Sequence, residues 1–188
     1  MRAVVCNELG PPELLRVEER PDPEPRPGQV VVDVEAAGVN YVDALFVAGQ
    51  YQIKPAVPFV PGTECAGVVA AVGEGVSDLT VGQRVLVSAG LGGFATKLAA
   101  AAPSVTVIPD VLDAARAATF TQSYSTCLYA LRSRAAVSPG ESVLVLGAGG
   151  GIGLAAIGVA RALGCRVLGV ASTESKRAAA LEAGAEAV

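Results

Sequence analysis

The chain has 188 residues, 52% of them hydrophobic, with 14 Lys and Arg against 18 Asp and Glu for a formal net charge of −4. That composition is globular and ample for one packed core or parts of two domains, and its acidic balance provides no basic stripe for a nucleic-acid backbone. Histidine is absent, so a serine triad, a His-ligated zinc or a histidine general base is closed to this chain alone.

The amino terminus, MRAVVCNELGPPELL, has no continuous apolar run ahead of its first acidic residue and does not read as a secretory signal. A soluble, cytoplasmic protein is expected. Residues 21–28, PDPEPRPG, place four prolines where none can join a sheet interior, which makes a stiff connector. From there to residue 110, short β-branched runs such as VVVDVEAAGV, CAGVVAAVG, QRVLVSAG and SVTVIPD alternate with Gly and Pro, the spacing of a β-rich unit. Val30, Val32 and Val34 alternate with Asp33 and Glu35, as on a strand with one solvated face. Cys6, Cys65, Cys127 and Cys165 are far apart and form no CxxC pair, so they are expected as isolated buried thiols.

After Pro109 the character changes: DAARAATF and TCLYALRSRAAV place Ala and Leu at helical spacing and mark the joint between two units. Then comes an uncharged run from Val143 to Ala160, long enough to raise the question of a membrane span. Its composition answers otherwise. Gly147, Gly149, Gly150 and Gly151 are clustered in it, and each glycine inside a helix costs about 1 kcal/mol relative to alanine. The run therefore divides into a strand at 143–146, a turn at 147–151 and a helix at 152–163 stopped by Gly164. A second strand at 165–171, a helix near 174–183 and the opening of a third strand at 185–188 complete the pattern. Strands alternating with helices imply a parallel sheet in an α/β fold.

A strand, a glycine turn and a helix amino terminus together make an anion site, where unpaired N–H groups and the positive end of the helix dipole converge. The pattern here is Ala148-x-Gly150-x-x-Gly153, with Ala where the first glycine of G-x-G-x-x-G would stand. Within a βαβ unit it predicts a bound dinucleotide, held by Ala148, Gly149, Gly150, Gly151, Ile152 and Gly153. The second strand ends in Ala171 and Ser172 in place of the acidic residue that would accept a ribose 2′-OH. Ser172 and Lys176 can both donate to a 2′-phosphate, so NADP (NADPH) is expected over NAD. Glu174 is the local charge against it.

GVNYVDALFVAGQY (38–51), PFVPGTECAGVVAAVGEGV (58–76), VGQRVLV (81–87) and VLVLGAGGGIGLAA (143–156) follow in register the motifs of a known family. On them the chain resembles the zinc-independent quinone oxidoreductase branch of the medium-chain dehydrogenase/reductase superfamily. The resemblance implies a GroES-like catalytic domain over 1–121, then an incomplete doubly wound Rossmann sheet over 122–188. Where zinc-dependent members carry Cys, His and Cys, this sequence has Asn40, Thr63 and Gln122, none of which offers a thiolate or imidazole. The four-cysteine structural zinc lobe is absent too, so no metal is expected.

By the same resemblance the chain is a zinc-independent NADPH:quinone reductase, delivering hydride to a quinone or activated enone, with enoyl-thioester reduction as the nearest competitor. Asn40 and Asp43 are placed beside the nicotinamide pocket and Thr126 against the cofactor. Tyr51 is the candidate proton donor, set against a packing role on Pro55 or Phe59; Asn40 and Tyr51 are the catalytic candidates. Leu45 and Val47 stand where some relatives have Tyr and Arg. A sheet of this type has about six strands, and the sequence stops as the third begins. A truncated form that binds nucleotide without turnover is therefore the alternative, and the absent half would carry the nicotinamide side of the pocket and a homodimer interface. An apolar sheet edge is expected to stand unpaired.

Overall fold

The computed structural model describes residues 1–188, which divide into two units, Met1–Thr119 and Phe120–Val188.

The first unit is built on a five-stranded antiparallel sheet. β1 (Arg2–Val5) and β2 (Arg16–Glu19) form a separate antiparallel pair. β3 (Gln29–Gly38) leads into the short helix α1 (Tyr41–Val47), followed by β4 (Glu64–Val72), β5 (Arg84–Ser88), β6 (Lys97–Ala101) and β7 (Val105–Val107). The sheet order is β6-β3-β4-β5-β7. The prolines of 21–28 pair with no strand, as their missing N–H groups require.

The apolar core of this unit gathers Val30, Val32, Cys65, Val69, Val85 and Val87. The alternation expected in β3 holds only in part: Val31 is buried along with Val30 and Val32. The register slips between Val31 and Val32 and again between Val34 and Ala36. The first slip leaves the extra residue, Ala70, on β4, and β3 keeps unbroken register with β6 from Gln29 to Asp33, so the burial of Val31 comes from what covers that face and not from a bulge in β3. The unit closes with the single-turn helix α2 (Ala114–Ala117), capped by Asp113, whose carboxylate accepts from Arg116 N–H at 2.7 Å.

The second unit opens with a helical segment of uneven pitch. Wide π turns at Thr121–Ser125 and Tyr129–Arg134 flank the short α-helical stretch α3 (Thr126–Leu128). A regular helix was the expectation from Ala and Leu spacing. At the end of the first wide turn the hydroxyl of Thr126, the first residue of α3, bonds back to the Gln122 carbonyl at 2.6 Å, a local competitor of the helix ladder.

β8 (Ser142–Leu146), α4 (Gly151–Ala162), β9 (Arg166–Val170) and α5 (Glu174–Glu182) follow the expected order, with β8 and β9 parallel. Gly164 takes φ +80° and ends α4. α4 has twelve residues, and no helix is long and apolar enough to cross a membrane. The third strand has begun: Glu186 N–H donates to Val167 C=O at 2.7 Å and Gly169 N–H to Ala187 C=O at 2.8 Å. The outer edge of β9 is thus partly paired by a short third strand, while β8 pairs with β9 alone and its other edge stands unpaired, as expected. What lies open is a sheet face, where Leu144, Leu146, Leu168 and Val170 are exposed. The other face buries Val145 and Val167 with Ile157, Ala160 and Ala180 of the two helices.

Candidate functional site

In the second unit the left-handed residue at the end of β8 is Gly147, at φ +71°. The turn conformation that a glycine must supply is therefore met one residue before Ala148. Ala148 is fully buried, and its N–H donates to Val170 C=O at 2.9 Å, tying the turn to β9. Gly150 N–H is likewise used, by Gly147 C=O at 3.0 Å. The first intrahelical bond runs from Leu154 N–H to Gly150 C=O at 2.8 Å. The N–H groups of Gly151, Ile152 and Gly153 lie ahead of it, in the first turn of α4, where the helix has no carbonyl for them.

The glycines of this turn do different work. A Cβ on Gly153 would run into the Gly147 carbonyl oxygen and stand 2.8 Å from Ala148 Cα. Gly153 is thus where the helix meets the strand end. A Cβ on Gly149 would overlap the stem of Lys176, 2.8 Å from its Cγ, so Gly149 seats that side chain across the turn. Gly150, at φ −93°, is different: a Cβ there meets only the Gly147 oxygen at 3.5 Å, an ordinary contact. Nothing in the protein needs Gly150 to be glycine. Its open side is the kind of clearance that lets a diphosphate come against the backbone.

Gly147, Gly149, Gly150, Val170, Ala171, Ser172 and Lys176 line one cavity of about 390 Å³. Ser172 and Lys176 are both exposed, and Lys176 makes no ion pair. The opposing charge expected from Glu174 is answered locally, since Arg177 Nη2 holds its carboxylate at 2.7 Å. Thr173 caps α5 and accepts from Lys176 N–H at 3.4 Å. Thr126 is exposed with its hydroxyl donated to Gln122, and Cys127, next to it, donates its thiol to Ile152 C=O at 3.3 Å.

The first unit holds a polar cluster at the start of α1. Asn40 is its N-cap and forms a capping box with Asp43. The buried Asp43 carboxylate accepts from Asn40 N–H at 2.8 Å and from Thr63 N–H at 3.0 Å, clamping α1 to the chain ahead of β4. Burial pushes the Asp43 carboxyl above its ordinary range, against the pull of those amide hydrogen bonds. Asn40 Nδ2 donates to Glu64 Oε1 at 2.9 Å and approaches Thr63 Oγ1 at 3.5 Å. Cys65 follows Glu64 on β4, its thiol pushed up to about 12 by burial and by the Glu64 charge.

Asn40, Asp43 and Thr63 thus lie together at the start of α1. The buried Glu64 was missed as a member of the group, although a lone carboxylate heading the apolar strand ECAGVVAAV is a legible signal. Tyr51 makes a ring contact with Phe46, ring centroids 4.7 Å apart and tilted by 55°, with no hydrogen-bond partner for its hydroxyl.

An antiparallel β-rich unit followed by a strand, glycine turn and helix of a parallel sheet defines the class: a GroES-like domain leading into a partial Rossmann-like sheet. Residues 26–110 match the alcohol dehydrogenase GroES-like domain. The chain is 43% identical to a human quinone oxidoreductase, aligned over its whole length and 58% of that relative. Among solved structures, a probable oxidoreductase from Mycobacterium abscessus superposes with a TM-score of 0.94 at 40% identity, over all of this chain and 60% of that one. A quinone oxidoreductase from Escherichia coli, complexed with NADPH, gives 0.93 at 31% identity, over all of this chain and 58% of that one. The chain belongs to the quinone oxidoreductase branch of the medium-chain dehydrogenase/reductase superfamily. It spans under three fifths of the length of the human relative.

Proposed function

We propose that the chain serves a zinc-independent oxidoreductase that binds NADPH and reduces a quinone-type acceptor. The observation that carries this reading is the clearance at Gly150 beside Ser172 and Lys176 in one cavity. The first-turn amides of α4 would hold the diphosphate, with Ala148 as buried floor and Ile152 and Gly153 in the amide row. Ser172 and Lys176 would hold a 2′-phosphate, Gly149 allowing the lysine stem to lie across the turn. The bound nicotinamide supplies hydride, and the protein supplies orientation and exclusion of water. Tyr51, with an unpartnered hydroxyl, is the proposed proton donor to the acceptor oxygen. In the first unit Asn40 and Asp43 are the other proposed functional residues, Asp43 by clamping Asn40 and Thr63; in the second, Thr126 is a proposed cofactor contact.

The donor chemistry at Asn40 and Thr63 supports a route without zinc. One side chain is a carboxamide, the other a hydroxyl, and the adjoining Cys65 thiol, pushed up to about 12, stays protonated at neutral pH. The test is NADPH oxidation followed at 340 nm with 1,4-benzoquinone, alongside calorimetric binding of NADPH and NADH. Tighter binding of NADPH, with a loss of about tenfold in Lys176→Ala for NADPH alone, supports the reading. Equal binding of the two coenzymes overturns the 2′-phosphate assignment, and binding without quinone-dependent oxidation leaves a nucleotide-binding module.

A further inference from the structure

Two constraints meet at Asn40. Its main-chain N–H is held by Asp43 Oδ2 at 2.8 Å, and its Nδ2 is held by Glu64 Oε1 at 2.9 Å with Thr63 Oγ1 at 3.5 Å. A carboxylate oxygen only accepts hydrogen bonds. The branch of the Asn40 carboxamide facing Glu64 is therefore its NH2, and Oδ1 is turned away from Glu64. The capping box acts in the same sense, drawing the side-chain oxygen toward the first turn of α1.

Glu64 is itself fixed in place. It is 2% exposed and stands opposite Gly38 in the β3–β4 register. A Cβ on Gly38 would run into the Ala118 carbonyl oxygen and lie 2.9 Å from both Glu64 Cγ and Oε1, so the glycine leaves room for that backbone and for the carboxylate together. A glycine on one strand, a buried carboxylate on the next and a helix N-cap together hold one small amide.

We propose that Glu64 is a positioning residue that locks the Asn40 carboxamide with its amide hydrogens engaged inward, so that Asn40 meets a ligand only as a hydrogen-bond acceptor. Resting on the reading of Asn40 as a ligand-facing residue, this deepens it. The position suits a ligand O–H or N–H, such as a hydroquinone hydroxyl or a primary amide, and does not suit a quinone carbonyl oxygen. A donor to that carbonyl has to come from another group, the role given above to Tyr51.

The test is side-chain amide NMR on the 15N-labelled chain. Two asparagines, Asn7 and Asn40, and five glutamines give side-chain NH2 pairs, and the pair that disappears in Asn40→Asp is that of Asn40. Glu64→Leu should shift the Asn40 pair and speed its solvent exchange about tenfold, as expected for losing one charge-assisted hydrogen bond. Glu64→Gln keeps the shape and one acceptor, and should fall between that variant and wild type. An Asn40 pair unchanged in Glu64→Leu, or in Glu64→Gln if the leucine variant does not fold, overturns the proposal. Hydroquinone, titrated under nitrogen, should perturb the Asn40 pair at about tenfold lower concentration than 1,4-dimethoxybenzene, which lacks a donor. Equal response to the two overturns the acceptor assignment. Neither measurement needs turnover, so a chain that fails to oxidise NADPH with quinone removes the functional reading and leaves these results decisive.

Discussion

Alanine at Gly150 and at Gly153 should damage the protein in opposite ways. At Gly150 the added methyl meets one oxygen at 3.5 Å and the backbone stays in a region open to any residue, φ −93° and ψ 168°. A small N-cap penalty is set against the unfolded-state gain of replacing glycine, leaving stability within about 1 kcal/mol of wild type. The methyl does occupy the clearance a diphosphate would use, and a loss of tenfold or more in NADPH affinity, about 1.4 kcal/mol, is expected. At Gly153 the methyl strikes the Gly147 carbonyl and comes within 2.9 Å of the Ala148 carbonyl carbon. Both are backbone, so relief requires α4 to move off the end of β8, at a cost near the upper end of the 1–3 kcal/mol typical of overpacking. The chain has no tryptophan, so calorimetry is the suitable assay, by titration for NADPH and by scanning for stability. A Gly150→Ala protein that binds NADPH as wild type does, or a Gly153→Ala protein that melts unchanged, would refute the division of labour drawn from the turn.

Asn in place of Asp43 leaves one carboxamide oxygen for the two N–H groups of Asn40 and Thr63, and should destabilise the first unit by about 1–3 kcal/mol for the orphaned donor. Because the folded-state carboxyl is raised above its ordinary 3.8, the native protein binds more protons than the unfolded chain just above that value. Wild-type stability should then fall as pH rises through this window, a decline absent from Asp43→Asn, so the gap between the two narrows toward neutrality in urea titrations at stepped pH. All four cysteines are buried and free, so a thiol reagent such as DTNB at pH 8 should modify none of them quickly in the native protein and all four in guanidinium. Fast native labelling of Cys65 would contradict its raised pKa.

The second unit was legible because its signals are local. Gly147 to Gly151, Gly164 and the β-branched runs on either side fix turn, stop and strands by backbone freedom and period. One departure there concerns alignment with the G-x-G-x-x-G pattern. Sequence spacing puts Ala148 in the place of the first glycine, but the turn conformation sits on Gly147 and the Ala148 amide is taken by Val170. Which amides remain for a ligand depends on cross-strand hydrogen bonding, a long-range fact that spacing does not contain. The charge of Glu174, read as an obstacle to a 2′-phosphate, is paired with Arg177 one helical turn on, a pairing that i,i+3 spacing allows a reader to foresee.

In the first unit the relevant information is non-local, and there the sequence was harder to read. Asn40 and Asp43 do carry a local mark, a capping residue with an acidic side chain three positions later. Their bonds to Thr63 and Glu64, by contrast, span more than twenty residues and exist only because β4 pairs with β3 in the register that sets Glu64 opposite Gly38. The same register explains why a buried carboxylate is tolerated in an apolar strand. Desolvation is offset by the Asn40 amide, and the space is made by a missing Cβ. A bulge that shifted β3 by one more residue would put Ala37 opposite Glu64 and close that space. The orientation of Asn40, and with it the hydrogen-bonding character offered to a ligand, therefore follows from strand register as directly as from the residue itself.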